Sequence, residues 1–378
     1  MASREHKEEK IHPSKLPEEI RKVSLLSGFR ADGKLRSGSY FQLDRSVIFE
    51  QVRKRFRGKI EVMSTREALE KYDWVKEYLW RAIPRDLDEY TKEVEKSWDN
   101  GYFLRVLPGQ RIEFPIQACM FISREGITQN VHNLVVVEEG GELQILTGCA
   151  TTILRALHVG VSEFYVKKGG KLTFTMIHNW APKIDVRPRD VAILEEGARF
   201  TSNYVSLHPV GTLQLSATVI CEGEGSSASL NSLILGREDA KIDIDESVIL
   251  RGKGSRGEVR LRVVGKDRSE IYTRGRVVGE GDGARGHVDC RGLMASSSSR
   301  IYSIPRLDGL NRSCELTHEA AVGKIRDREL WYLMSRGLTE EEATSLIIRG
   351  YLDPKVLGLP KLIERYVESI VRMIGGAP

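Results

Sequence analysis

The residues that could do redox or metal chemistry are spread thinly along this chain. Its five cysteines are an odd number, stand far apart and never occur as CxxC. That pattern argues against a disulfide framework and against a self-contained zinc or ferredoxin-type site, so we expect free thiols. Most should be small apolar residues facing a core. A reactive thiol would need a nearby cation or metal, and Cys290, with His287 and Arg291 beside it, has local candidates.

Two carboxylates form the clearest acid–base pattern. Asp243 and Asp245 alternate with Ile242 and Ile244, so both carboxylates leave the same face of a strand. Paired carboxylates on a β surface could serve acid–base or calcium-assisted cleavage of a polysaccharide. A solvated outer face is the other interpretation of the same residues.

Histidines occur at a suggestive spacing. His178 and His208 lie 30 residues apart, close to the repeat described below, so they could stack on neighbouring coils as a ligand ladder. Two separately hydrogen-bonded histidines are the interpretation that we favour. His318 and Glu319 begin like a zinc-protease helix, but Val322 stands where the second histidine would be, which excludes that site. They remain either the solvated start of a helix or metal ligands.

Nucleotide motifs are incomplete. Residues 281–286 fit GxGxxG, but the next residues, 287–292, are too short and glycine-bounded for the helix that a dinucleotide site requires. We therefore predict a turn there. The chain has no GxxxxGK[ST] sequence, so any ATP chemistry should belong to a partner.

A repeat of glycine turns organises the middle of the chain. A charged pair followed by glycine ends at Gly140, recurs 29 residues later at Gly169, and again after 28 residues at Gly197. Further on, Gly236, Gly252, Gly265 and Gly279 are separated by 16, 13 and 14 residues. Two strands per coil explain both spacings, which favours a solenoid of β coils, a β-helix. A β-sandwich is the alternative.

The two flanks read as helical. We predict an N-terminal helical region over 1–100, with Ser64 capping a helix from about Thr65 to Trp80; the β-helix core over 101–314; and a C-terminal helical module over 315–378. In that module Thr339 begins one helix, Gly350 ends it, and a second helix runs over about 360–374.

Composition narrows the class of protein. The chain has 378 residues, a formal charge of +5 and 29% charged residues, which is ordinary globular composition, and this net charge is too small and too dispersed to indicate a nucleic-acid partner. No apolar run approaches the ~18 residues that cross a bilayer, and the first ten residues are charged. We expect a cytoplasmic protein with no membrane or nucleic-acid partner.

Four segments carry a resemblance to a known family. Residues 316–325 and 333–343, together with Thr147-Gly148-Cys149-Ala150 and His178-Asn179-Trp180, resemble the SufB/SufD family of iron–sulfur cluster assembly proteins. The resemblance covers about 101–353 and is weak over the first hundred residues. It implies a mainly β protein, a right-handed parallel β-helix flanked by N-terminal and C-terminal helical regions.

The resemblance also implies a function. Family members are scaffolds rather than enzymes; they pair through their β-helices, here as a homodimer or with a SufD-like homologue, and bind a SufC-like ABC-type ATPase through the C-terminal helical module. A transient iron–sulfur cluster forms at the interface. The sulfur donor is not identified by this likeness.

Site residues are carried over by position. Cys290 matches the interface thiolate, with His318 and Glu319 in the neighbouring ligand positions, and the presence of Cys290 with Glu319 favours a SufB-like subunit. Cys149 matches the sulfur acceptor, and Trp180 lies along the sulfur path.

Two departures affect that path, since His178 replaces a glutamine and Glu195 stands where a lysine is expected. We therefore predict that Cys149 matters less than Cys290. The rival functions are a β-helix carbohydrate-active enzyme using Asp243 and Asp245, and a structural partner subunit without ligands.

Overall fold

Alternate strands of the chain build two facing sheets. The computed structural model describes residues 11–32, 34–353, 355, 361, 364–365 and 367–369. The strands within these residues are β1 (Gly38–Leu43), β2 (Ser46–Val52), β3 (Ile60–Ser64), β4 (Tyr102–Val106), β5 (Ile116–Ile122), β6 (Thr128–Val137), β7 (Glu142–Thr151), β8 (Arg155–Val166), β9 (Lys171–Asn179), β10 (Lys183–Leu194), β11 (Arg199–Ser206), β12 (Thr212–Cys221), β13 (Ser227–Gly236), β14 (Lys241–Leu250), β15 (Arg256–Gly265), β16 (Glu270–Gly279), β17 (Arg285–Met294), β18 (Arg300–Gly309) and β19 (Glu315–Lys324). One sheet has ten strands in the order β19-β17-β15-β13-β11-β9-β7-β5-β1-β2, and the other has nine in the order β18-β16-β14-β12-β10-β8-β6-β4-β3. We call them sheet A and sheet B.

Each coil gives one strand to each sheet. Strands two apart in sequence pair in parallel from β4 onward, as β13 with β15 and β14 with β16. The β-helix predicted from the glycine spacing is confirmed, and the β-sandwich alternative is wrong. Gly140 and Gly169 both have φ of +64°, a left-handed conformation that glycine adopts without strain. Gly283 has the same φ in the turn before β17, which confirms a turn rather than a nucleotide loop.

Side-chain alternation fills the space between the sheets. Along β14, Ile242, Ile244 and Val248 are buried in the core, whereas Asp243 and Asp245 point outward. The same period of two repeats on successive coils, so apolar residues stack into one continuous core.

The N-terminal hundred residues are not simply helical. β1 pairs in parallel with β5, β2 pairs antiparallel with β1, and β3 pairs antiparallel with β4. Buried Tyr40, Phe41 and Ile60 explain why: these apolar residues cover the first coil and complete both sheets at this end. The helices here are α1 (Glu18–Leu26), α2 (Thr65–Lys71) and α3 (Glu89–Ser97).

Helix α2 ends earlier than predicted. Ser64 caps it as expected, since its hydroxyl accepts a hydrogen bond of 3.1 Å from the Glu67 amide. Tyr72 is extended, and a short 3-10 helix, Asp73–Glu77, replaces the remaining turns. The break turns Tyr72 and Trp74 toward Phe103 of sheet B, a packing gain that a continuous helix would lose.

The C-terminal region begins later than predicted. β19 extends the solenoid to Lys324, so the segment after 314 that we expected to be helical is first a strand. Helices α4 (Asp327–Met334) and α5 (Glu340–Tyr351) follow. Thr339 caps α5 with Glu342 in a capping box, as predicted, but the helix continues through Gly350. The helix predicted over 360–374 lies largely outside the described residues.

Helix α5 packs on the outer face of sheet A. Its Ile348 and the following Leu352 form one buried cluster with apolar residues of successive sheet A strands, namely Val205, Leu233 and Val264. The C-terminal helices therefore cover the sheet whose last strands carry the candidate site.

Candidate functional site

Cys290 lies inside the solenoid near its C-terminal end. It sits on β17, one strand in from the edge of sheet A, belongs to the core, and is 1% exposed. Burial raises the pKa of its thiol to about 11. Opposite it, Gly275 leaves room, since a Cβ built there would stand 3.2 Å from the Cys290 sulfur. The thiol is therefore shielded and protonated near neutral pH.

His318 and Glu319 lie on β19, and neither begins a helix. His318 pairs with Val288 and Glu319 with Asp289. Because side chains alternate along a strand, His318 shares the inner face with Cys290, whereas Glu319 projects from the outer face. The three predicted ligands are close in the sheet but do not converge. In the described part of the chain, no group of three or more His, Cys, Asp or Glu residues could hold a metal ion.

A chain of ion pairs holds Glu319 on the outer face. The Glu319 carboxylate lies 3.1 Å from Arg291, which also pairs with Asp289 at 3.0 Å. Asp289 pairs in turn with Arg262. Burial raises the pKa of Tyr351 to about 12, and the charges of Arg262, Arg291 and Asp289 act on it. Tyr351 at the end of helix α5 therefore lies within electrostatic range of the ion pairs that include Glu319.

Within the part of the chain that the structure describes, the C-terminal end of the solenoid is open. β18 and β19 are the terminal strands of their sheets, and β19 is exposed along almost its whole length. Apolar side chains are exposed beside these edges, with Ile304 at 49% and Val322 at 40%. Exposed strand edges with apolar side chains can pair with another chain.

Cys149, His178 and Trp180 meet inside the solenoid. Cys149 on β7 pairs with His178 on β9, and the His178 ring centroid is 5.5 Å from Trp180. The hydroxyl of Tyr204 and Nδ1 of His178 are hydrogen-bonded at 2.8 Å. His178 Nε2 and Trp180 Nε1 are buried with no hydrogen-bond partner among the described residues. The three residues assigned to the sulfur path are therefore neighbours.

This interior group is electrically neutral. Burial raises the pKa of the Cys149 thiol, with Cys119 and Asp190 adding to the effect. Burial and the neighbouring His158 lower the pKa of His178. His178 pairs with Ser206 rather than with His208, so the histidine ladder, the less favoured interpretation of the sequence, is wrong. Glu195 lies in the turn after β10, where it pairs with Lys167 at 2.9 Å.

Two buried carboxyl groups were not among the predicted site residues. Glu246 is buried and Asp190 is half-buried, and burial raises the pKa of each to about 7. The Ser232 hydroxyl donates a hydrogen bond to Glu246. Strand alternation could have found both, because Asp190 is in phase with inward Val186, and Glu246 with inward Ile244.

The Asp243 and Asp245 pair faces outward, as predicted. Both line a cavity of about 370 Å³ on sheet B with Arg189 and Arg274. Asp243 is already in an ion pair with Arg274 on the next coil. Burial raises the pKa of Asp245. One of the two carboxylates is thus occupied by a structural partner.

Comparison with known proteins identifies the family. The family model described as SUF system FeS cluster assembly, SufBD core domain, matches residues 120–351. The chain belongs to the SufBD family. An iron–sulfur cluster assembly SufBD family protein of Methanothermobacter thermautotrophicus is 44% identical over 373 residues, covering 97% of this chain and 90% of that protein. One of Archaeoglobus fulgidus is 41% identical over 348 residues, or 92% of each chain.

A SufB protein is also similar to this SufBD family member. The iron–sulfur cluster assembly protein SufB of Bacillus subtilis is 28% identical over 352 residues, covering 91% of this chain and 76% of that protein. These descriptions name assembly proteins rather than enzymes. Among the described helices, none combines the length and apolar character needed to span a membrane.

Proposed function

We propose that this chain is a cytoplasmic, SufB-like scaffold subunit on which an iron–sulfur cluster is assembled at the open end of the solenoid. One observation carries the proposal: Cys290 and His318 share the inner face of sheet A next to its exposed edge. Thiolate and imidazole are ligands that suit iron and iron–sulfur clusters. Membership of the SufBD family is the reason to expect an iron–sulfur cluster as the bound group.

Two of the proposed ligands, Cys290 and Glu319, must change state before they can bind a cluster. The Cys290 thiol has a raised pKa, so iron must displace its proton for it to act as a ligand. Glu319 must leave Arg291 and move past the sheet edge to join the same cluster. Docking of a second chain at the β19 edge would drive this movement of Glu319. The site would thus hold a cluster weakly and pass it on.

Delivery of sulfur through Cys149 is the weaker part of the proposal. Cys149, His178 and Trp180 form a neutral, buried group, and thiolate is the form of cysteine that attacks sulfur donors. Burial disfavours that form of Cys149. We propose that Cys149 contributes less to assembly than Cys290.

The proposed partners occupy different surfaces. The exposed edges of β18 and β19 suit pairing with a second copy of the chain or a SufD-like homologue. On α4, Trp331 is 69% exposed and Tyr332 is 60% exposed, which suits docking of the ABC-type ATPase. The carbohydrate-enzyme alternative loses support because Asp243 is paired with Arg274.

Anaerobic reconstitution with iron and sulfide tests the proposal. Cys290→Ser should lower bound iron and sulfide about tenfold or more, because losing even a residue that only orients a metal ligand typically costs ~10–100-fold in affinity. Cys149→Ser should lower them less. Cys221→Ser is the matched control, since Cys221 is also a buried core thiol whose pKa burial raises to about 12. Equal cluster content in Cys290→Ser and the unmodified protein would contradict the proposal.

A further inference from the structure

A groove on the outer face of sheet A is lined by arginines and hydroxyl groups. Its volume is about 550 Å³, and it lies along the starts of five successive sheet A strands, β11 to β19. One row of the groove, in register across the strands, reads Arg199, Ser227, Arg256, Arg285 and Glu315. A parallel row two residues further on reads Thr201, Ser229, Glu258, His287 and Thr317. The strand register therefore fixes the spacing between the side chains that line the groove.

Two arginines in this groove have no acidic partner within the described part of the chain. Several arginines elsewhere on the solenoid pair with carboxylates one coil away, as Arg274 does with Asp243 and Arg268 does with Asp239. Arg285 follows that rule with Glu315 at 3.1 Å. Arg199 and Arg256 make no ion pair with any described residue. Glu258 is not free to neutralise them, because it pairs with Arg260.

The register places like charges side by side. Arg256 stands directly opposite Arg285, and Arg199 directly opposite Lys171 of β9. Neighbouring strands are ~4.8 Å apart, and like charges at facing positions destabilise a sheet. A negatively charged ligand across the row would relieve that repulsion. Ser227, between Arg199 and Arg256, would place a hydroxyl group under it.

We propose that this groove binds a small anion carrying two or more linked phosphate groups. Arginine side chains bind phosphate in a planar, two-pronged geometry, and serine and threonine hydroxyl groups complete such sites. The volume is that of a small-molecule site. Acidic residues bound the cationic row, with Glu142 beyond Lys171 at one end and Glu315 at the other. This limit favours a short oligophosphate over a long polyanion such as nucleic acid.

Binding of inorganic tripolyphosphate and of ATP, measured by isothermal titration calorimetry on the full chain, tests the proposal. We expect saturable binding of tripolyphosphate that weakens with added salt. Arg199→Gln and Arg256→Gln should each weaken it at least about tenfold, the usual effect of losing a charge-assisted hydrogen bond. Equal affinity for ATP would show that the phosphates alone are recognised, and tighter binding of ATP would point to a nucleotide source; both support the site.

The matched control is Arg155→Gln. Arg155 is exposed at the start of β8, faces the like charge of Lys183 and makes no ion pair with a described residue, but it lies outside the groove. The Arg155→Gln variant should bind tripolyphosphate with the affinity of the unmodified protein. Circular dichroism of every variant confirms the fold. No saturable binding, an unchanged affinity in Arg199→Gln and Arg256→Gln, or binding of a DNA oligonucleotide but not of tripolyphosphate would each overturn the proposal.

Discussion

Glu246 shows how the solenoid interior acts on a single residue. It is 2% exposed, and one oxygen accepts a hydrogen bond from Ser232 while the other has no partner among the described residues. Burial raises the pKa of its carboxyl group from 4.5 to about 7. A buried carboxylate costs free energy that the protonated form avoids. The folded protein therefore holds this proton across the weakly acidic range.

Glu246 should make the protein less stable as the pH rises. Its pKa is higher in the folded than in the unfolded chain, so its stabilising contribution is full below about pH 4.5 and is lost as the pH rises to about 7. The shift corresponds to about 3 kcal/mol. Glu246→Gln keeps the shape and cannot ionise, so it should raise the melting temperature at pH 8 more than at pH 5.

Glu224→Gln is the control for this pH effect, because Glu224 is exposed in a turn. Its melting temperature should differ from that of the unmodified protein by the same small amount at both pH values. A Glu246→Gln variant whose stabilisation is independent of pH would contradict the raised pKa.

The ligand residues show what sequence alone could and could not give. The types and positions of Cys290, His318 and Glu319 came from a family resemblance. Their arrangement depends on strand register, since pairing Cys290 with Ala320 places Glu319 on the opposite face. A shift of one residue would have reversed that result. Register between strands separated by a whole coil is set by core packing and is not visible in local sequence.

At the level of elements, a buried carboxylate fastens an N-terminal segment to sheet B. Glu163 is fully buried on β8 and accepts hydrogen bonds from the amides of Trp80, Ala82 and Ile83. It also contacts His132 Nε2 at 3.0 Å. Trp80 has a φ of +63°, a left-handed conformation unusual for a large residue. The carboxylate holds the segment in that conformation.

Replacing Glu163 should loosen this segment. Glu163→Ala leaves several buried donors without an acceptor, so we expect a loss of about 3 kcal/mol in the free energy of unfolding, measured by urea denaturation. Limited proteolysis should then cut within 73–88. Glu77→Ala is the control, since Glu77 is exposed on the same segment. A variant with unchanged stability would show that the contacts of Glu163 are replaceable.

The elements predicted best from the sequence are those marked by local sequence signals. The glycine turns at Gly140, Gly169 and Gly197 and the capping box at Thr339 are local signals, and the structure confirmed them. Three of the later predicted turn glycines are instead the last residues of strands, namely Gly236, Gly265 and Gly279. β1 to β3 were missed because each is short and is stabilised mainly by pairing with residues far along the chain, as Tyr40 pairs with Ala118. β19 was missed because the edge of a sheet lacks the strong burial pattern of its interior.

The exposed aromatic residues of α4 offer a cleaner test of ATPase docking than removal of the C-terminal module. Deleting 340–378 would uncover the apolar outer face of sheet A that Ile348 and Leu352 cover, and could unfold the protein. Trp331→Ala with Tyr332→Ala should leave stability within ~0.5 kcal/mol, as surface changes usually do. Co-purification with the ABC-type ATPase should fall at least tenfold.

Leu154→Ala is the control for this docking experiment. Leu154 is 62% exposed on a loop before β8, so it presents a comparable apolar surface on another part of the molecule. Its co-purification with the ATPase should match that of the unmodified protein. Undiminished recovery of the ATPase by the α4 variant would place the docking surface elsewhere.

At the level of the whole molecule, the open end should govern association. Val322 lies on the inner face of the edge strand β19 and is 40% exposed. A lysine at an edge strand opposes pairing with another chain. Val322→Lys should therefore convert a two-chain species into a monomer in size-exclusion chromatography with light scattering, whereas Leu154→Lys should not. A Val322→Lys protein that still associates would exclude the β19 edge as the interface.

The two ends of the solenoid are not equivalent, and this difference determines how many chains join and how many clusters they hold. At the N-terminal end the outermost strands run antiparallel to their neighbours, and the Ile11 amide bonds to Ile48 on the outer strand β2. At the opposite end, within the described residues, the edge strand β19 is exposed and parallel to its neighbour. Identical chains that meet there form a closed, two-fold junction that cannot grow into a fibre. Each junction joins two open ends, so we expect one cluster for every two chains.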